Sequence, residues 1–265
     1  MAKHSLYIWI GIRIIPSATN IESSHSNNDT DIIPLSSIIQ NSSIEEADLR
    51  IILHATHAVL DGYKKVVVAS IDTDVLVPLL HHWEALNRPG SQALWNLRSG
   101  TDSNKSQIPV HAMALGIGLD KCKTLPAMHH LMGSDYTSKV GTKCSGFQTS
   151  PEMFLLDLGT DVSEAGIQDA VEKTESYLVK VLSRKTNCES FDHLRLWIYE
   201  YEQSTTIAYS PPSSEFMKSH IFRAFYITYM QISCLDVEAK ELDIFNFGYT
   251  KRDIHTPRQG WNIPA

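Results

Sequence analysis

Apolar and polar positions along the chain divide it into a front portion of short β-branched runs and a rear portion of helical periods. Residues 5–15, SLYIWIGIRII, are β-branched and aromatic, which predicts a strand. Residues 16–43 are rich in Ser, Asn and Asp and read as loop, with a short strand or turn near Ile32–Ile39. Over Glu45–Leu60 the period becomes helical. Ile44, Ala47, Ile51, Ala55 and Ala58 form one apolar stripe, widened by Ile52 and Val59. Ser43 stands where an N-cap belongs, and Glu45, Glu46 and Asp48 put negative charge in the first turn, where the helix dipole favours it. Asp61-Gly62 ends the helix. Lys65–Ile71, KVVVASI, is a continuous β-branched run of the kind that suits a strand buried on both faces in a parallel sheet. Val75–Trp83 reads as helix and Leu94–Leu97 as a further short strand.

From Ile108 onward helix dominates. IPVHAMALGIGL and LPAMHHLMG are apolar helical segments, with Gly116, Gly118 and Pro126 as expected breaks. Pro151–Asp157, Asp169–Leu182, Asp192–Tyr201 and Ser214–Cys234 are further helix candidates, with a break at Ser210-Pro211-Pro212. Residues 243–265 carry no clear period, and no internal repeat is visible. The pattern predicts an α/β domain over 1–150 and an all-helical extension over 151–265.

Composition narrows the function classes. The 265 residues hold 30 acidic against 23 basic side chains, a formal charge of −7. That balance argues against a nucleic-acid binder working through a broad basic surface. It suits an enzyme that collects carboxylates around metal ions. No apolar run approaches the roughly 20 residues of a membrane span, and Arg13 interrupts the apolar stretch Leu6–Ile15, so a strand is expected there rather than a signal peptide. Cys122, Cys144, Cys188 and Cys234 form no C-x-x-C pair, which speaks against zinc and for a reducing compartment, nucleus or cytoplasm rather than secretion. His81-His82 and His129-His130 lack partners at metal spacing and read as core or surface residues. Gly116-Ile117-Gly118 lacks the third glycine of a dinucleotide loop.

The acidic residues fall in a suggestive order. Glu45-Glu46-Ala47-Asp48 opens a helix, and Asp72-Thr73-Asp74 directly follows the apolar strand. In open α/β sheets, ligands bind beyond the carboxyl ends of the strands. Gly133-Ser134-Asp135-Tyr136 ends an apolar helix, and Lys139-Val140-Gly141-Thr142-Lys143 lies just downstream. Several carboxylates in one place suit Mg²⁺, a hard ion that takes oxygen ligands and keeps waters. A pair of such ions activates water for phosphodiester hydrolysis. Each block also has an ordinary structural explanation: dipole complementation at a helix start, a turn or cap after a strand, a solvated lysine face.

In this order, EEAD, strand plus DTD, helix plus GSDY and then KVGTK, the chain resembles the flap-endonuclease-like (XPG-type) nucleases of the PIN-like superfamily. Glu46-Ala47-Asp48 matches that family's Glu-x-Glu-type motif with Asp in second place. Asp72-Thr73-Asp74 matches its Asp-x-Asp, and Gly133-Ser134-Asp135-Tyr136 its Gly-x-Asp-Tyr. Residues 44–145 carry the resemblance. The chain is also similar to a group of animal proteins, some of transposon descent, that share these blocks through Gly260-Trp261. Three departures stand out. No aspartate matching the family's first-strand ligand, or the one that follows it, precedes Glu45, because Asp29 and Asp31 lie in a polar loop. KVGTK lacks the second glycine of the usual hairpin, and the basic helical arch is absent.

The resemblance implies an α/β, PIN-like (Rossmann-like) fold: a parallel or mixed sheet flanked by helices, N-terminally incomplete, with an all-helical C-terminal extension. It implies Mg²⁺ or Mn²⁺ held by Glu46, Asp48, Asp72, Asp74 and Asp135, DNA or RNA as partner, no membrane, and Lys139, Gly141 and Lys143 against the nucleic-acid backbone. Helical geometry puts residues 46 and 48 about 200° apart. Either the first turn is irregular and Glu46 converges with Asp48, or Glu45 replaces Glu46; the motif favours the former. Two alternatives stay open. One is a PIN-like interaction module without turnover, in which Phe222, Phe225, Tyr226 and Tyr229 offer a face, although their helical spacing reads first as core. The other is an incomplete gene product.

Overall fold

The computed structural model describes residues 6–9, 46–63, 65–70, 72–87, 93–98, 106–139, 155–182, 187–201 and 211–250. Helix and strand are mixed, with helix in excess. The chain divides into two compact units. One comprises Met1–Leu76 and Trp83–Met113; the other comprises Val77–His82 and Ala114–Ala265. The expected boundary at 150 falls outside the described residues, and Ala114–Lys139 belongs with the helical unit.

The first unit holds a four-stranded sheet in the order β1 (Leu6–Trp9), β2 (Lys65–Ala69), β3 (Ala93–Arg98), β4 (Ser106–Pro109). The first three strands are parallel, with Val66 opposite Leu6 on one side and Leu94 on the other. Strand β4 runs antiparallel to β3, with Pro109 opposite Trp95. Among the described strands it pairs on one side only, the setting in which a residue without an N–H is tolerated. Helix α1 (Ala47–Leu60) is the crossover between β1 and β2 and packs on both. Its buried residues include the expected Ile51, Ile52, Ala55, Ala58 and Val59, but also Leu49 and Leu53, which the predicted stripe lacked, whereas Ala47 at the helix start is exposed and Ile44 lies outside the described residues.

Two expectations are corrected in this unit. The helix starts at Ala47, and the residue at the cap position is Glu46, whose backbone is extended (φ −68, ψ 119) and whose carbonyl accepts Arg50 N–H at 3.2 Å. Glu45 and Ser43 lie outside the described residues. In β2, Val66 and Val68 are fully buried but Val67 and Ala69 only half so, leaving a strand with one buried face. Three successive valines reflect β-propensity here as much as two-sided burial.

The second unit is helical: α5 (Leu119–Met132), α6 (Glu164–Leu182), α7 (Phe191–Tyr201), α8 (Ser214–Ile232) and a 3₁₀ turn at Ile244–Phe247. Helices α2 (Thr73–His81) and α4 (Val110–Ile117) begin in the first unit and end in the second, and the short α3 (Trp83–Leu86) returns to the first. Gly116 lies inside α4 and Pro126 inside α5, so neither breaks its helix; the break falls at Gly118, whose φ of 91 suits a residue without a Cβ. Helix α8 packs against α5, α6, α7 and the 3₁₀ turn. Its Phe225 and Tyr229 are buried in the core with Leu131, Leu178, Phe191 and Ile221, while Phe222 and Tyr226 pack against its edge. The aromatic series is therefore core material. Glu175 of α6, itself 7% exposed, joins two helix starts: its carboxylate accepts Phe191 N–H at 3.0 Å and the Ser214 hydroxyl. Asp192 and Ser214 close the junction with reciprocal 3.1 Å bonds from each backbone N–H to the other's side chain. No helix among the described residues is long and apolar enough to cross a membrane.

Candidate acidic site

Strand β2 delivers the chain to Ser70 and Asp72 at its carboxyl end. Asp72 is exposed, and its backbone N–H donates to Ser70 Oγ at 3.0 Å. Its Oδ1 accepts Asp74 N–H at 3.0 Å, the bond of an N-cap at the start of α2. The cap expectation and the ligand expectation thus meet on one side chain. Asp74 follows in the first turn of α2 and is buried, 6% exposed. The bond links the Asp74 amide, not its carboxylate, to Asp72. Both sit where parallel strand β2, with parallel neighbours on either side, gives way to a helix N-terminus.

Glu46 and Asp48 belong to the same unit, at the start of α1, and both are half-buried. Glu46 makes no side-chain capping bond. Because it precedes the helix on extended backbone, the ~100° helical increment does not govern its direction relative to Asp48. Among the described residues, no three His, Cys, Asp or Glu side chains form a group able to hold a metal ion.

Asp135 and Lys139 belong to the second unit. There α5 ends at Gly133 (φ 108), and the chain folds back so closely that a Cβ on Gly133 would lie 2.6 Å from Lys139 Cα. Ser134 and Thr137 pair across the turn. Ser134 N–H donates to Thr137 Oγ1 at 3.1 Å, Tyr136 N–H donates to Ser134 Oγ at 3.2 Å, and Thr137 Oγ1 donates to His130 O. His130 Nδ1 lies 2.8 Å from Ser134 Oγ. The turn presents Asp135 and Lys139 to solvent. Gly141 and Lys143 lie outside the described residues.

One constellation has no signal in the sequence. His82 and Cys234, 152 residues apart, meet in the second unit with Nε2 and Sγ 3.4 Å apart. Nε2 also lies 2.8 Å from the Gln231 carbonyl, which can only accept, so Nε2 carries the proton and donates. That imidazole cannot take the thiol proton through the same atom. Burial, with the Asp236 charge nearby, pushes the Cys234 thiol up to about 12. Burial also holds the His82 imidazole below its usual value. The pair is a packed structural contact rather than a nucleophile and its base.

Comparison with protein-family models, with characterised proteins and with solved structures finds no match to this chain.

Proposed function

We propose that this chain is a divalent-metal-dependent phosphodiesterase of PIN-like fold acting on DNA or RNA, centred on Asp72 and Asp74. One observation carries the reading: two hydrogen-bonded acidic residues, one buried and one exposed, stand at the carboxyl end of a strand with parallel neighbours on both sides. The donor chemistry fits Mg²⁺ or Mn²⁺. Both groups are carboxylates, and Mg²⁺ is commonly held by one or two carboxylates, its remaining positions filled by water and substrate phosphate. A protein group of three is not needed for such a site. Glu46 and Asp48 of the same unit are the further carboxylates in this reading. When bound, the ion would supply an activated water and offset charge on the phosphate.

The chain's own part is to fix the pair. Ser70 Oγ holds the Asp72 backbone, and Asp72 Oδ1 is pinned by the Asp74 amide. The N-terminal end of α2 also favours the charged carboxylates. Lys139, with Gly141 and Lys143 beyond it, keeps the backbone-holding role that the resemblance gives it, and Asp135 the acidic one.

The test is cleavage of end-labelled single-stranded DNA, single-stranded RNA and flap DNA with Mn²⁺, comparing the wild type with Asp72→Asn/Asp74→Asn. Asparagine is itself a good N-cap, so the helix start survives the substitution. Removal of several kcal/mol of transition-state stabilisation predicts a loss of at least about a hundredfold. Equal cleavage by both proteins overturns the reading. A second reading, a module that binds nucleic acid or protein without turnover, is favoured by the commitment of Asp72 Oδ1 to its cap. It predicts retention of labelled strands by both proteins and cleavage by neither.

A further inference from the structure

We infer that Tyr249, on the C-terminal segment after α8, is a positioning residue for the turn that carries Asp135 and Lys139; the functional part of this inference rests on the phosphodiesterase reading. Tyr249 OH donates to the Tyr136 carbonyl at 3.1 Å, across 113 residues of sequence. From within and from α5 the turn is held by the bonds of Ser134, Thr137 and His130. The Tyr249 hydroxyl links it to the opposite end of the unit's chain.

The segment that brings Tyr249 there is itself firmly placed. Asp243 Oδ1 caps the 3₁₀ turn by accepting Phe245 N–H at 3.0 Å. Phe247 is buried and stacks on Phe225 of α8 at 5.7 Å between ring centroids, with Tyr226 against it at 5.6 Å. Gly248 is left-handed (φ 76) and lies so close to α8 that a Cβ would come within 2.9 Å of Ser219 O. Arg223 Nε donates to Gly248 O at 2.7 Å, and its guanidinium sits over the Tyr249 ring, 5.8 Å from the centroid. Tyr226 also meets that ring edge-on, at 6.0 Å between centroids. The ring is thus clamped, and its hydroxyl makes a bond that reaches the turn. This gives the C-terminal segment a role that its irregular sequence does not disclose.

The experiment compares Tyr249→Phe with Tyr229→Phe in the full chain. Each removes one hydroxyl donating to a backbone carbonyl; the Tyr229 bond, 2.8 Å to Lys240 O, does not involve the turn. Amide hydrogen exchange is read at Tyr136 and Thr137, whose N–H groups donate to Ser134 Oγ and Ser134 O. A lost hydrogen bond predicts exchange roughly three- to tenfold faster at those two amides in Tyr249→Phe alone. Turnover of the labelled strand with Mn²⁺ should fall in kcat, by roughly tenfold, in Tyr249→Phe and stay unchanged in Tyr229→Phe. Exchange at the turn that is unchanged in Tyr249→Phe, or raised equally by both substitutions, overturns the positioning role. If the wild type cleaves nothing, the phosphodiesterase reading falls, and the exchange comparison still decides whether Tyr249 holds the turn.

Discussion

His220 should make the helical unit sensitive to acid. The imidazole sits in α8, 3% exposed, with Nε2 3.0 Å from the carbonyl of Leu131 at the end of α5. That carbonyl fixes the proton on Nε2, and Nδ1 has no hydrogen-bond partner among the described residues. Protonating Nδ1 would bury a charge and a donor without an acceptor, with the Arg223 guanidinium nearby. Burial, and secondarily Arg223, therefore lower the imidazole from its usual 6.5 to about 4. The sign follows from linkage: the unfolded chain binds this proton more readily, so the stability contributed by neutral His220 is complete above pH 6.5 and is lost as pH falls toward 4. By pH 4.5 the loss amounts to roughly 2–3 kcal/mol. The assay is urea unfolding followed by Trp fluorescence from pH 7.5 to 4.5, on the wild type and on His220→Gln, whose amide can still donate to Leu131 O. The wild type should lose roughly 2–3 kcal/mol more over that range than the variant. Parallel pH profiles for the two proteins would refute the reasoning.

Two further outcomes follow from the packing. Glu175→Ala removes a buried carboxylate that accepts from two helix starts, so the unfolding free energy should drop by about 3–5 kcal/mol, whereas Glu175→Gln, which keeps one acceptor oxygen, should lose less than half of that. A drop below ~1 kcal/mol for the alanine variant in urea unfolding would contradict the bonding described for Glu175. Cys234 is 3% exposed, with its thiol pushed up to about 12, and should resist iodoacetamide in the native chain, while half-buried Cys188 is labelled before it. Peptide mass spectrometry of briefly labelled protein reads the order, and faster modification of Cys234 would refute it.

Local elements were legible in the sequence because their signals are local. The α1 stripe, the valine run of β2, Leu94–Leu97 and the starts of α7 and α8 each carry their own period, and the structure places elements there. What periodicity misjudged were boundaries set by neighbours. Pro126 is accommodated inside α5, and α6 extends upstream to Glu164, where Asp161 Oδ1 accepts Ser163 N–H at 2.9 Å just before the helix. Asp72 and Asp74 were legible as a pair, since a strand end followed by Asp-x-Asp is a short-range pattern. That Asp72 uses one oxygen as a cap was equally readable as the ordinary alternative. The links to Tyr249, Glu175 and Cys234 were not legible, because each joins residues that no periodicity relates. The Tyr249 bond spans 113 residues and the His82 contact with Cys234 spans 152.

The way α2 passes from one unit to the other also bears on the order of events during synthesis. Val77–His82 belongs to the helical unit, yet it is made before all the rest of that unit. The Gln231 carbonyl that receives the His82 proton emerges 149 residues later, roughly 7–30 s at ordinary elongation rates. For that interval an apolar turn containing Val77, Leu79 and Leu80 waits without its final neighbours. Closing so long a loop carries an entropic cost and slows folding. Completion of this unit is therefore expected to be late, and a chain stalled before α8 would present that turn to chaperones.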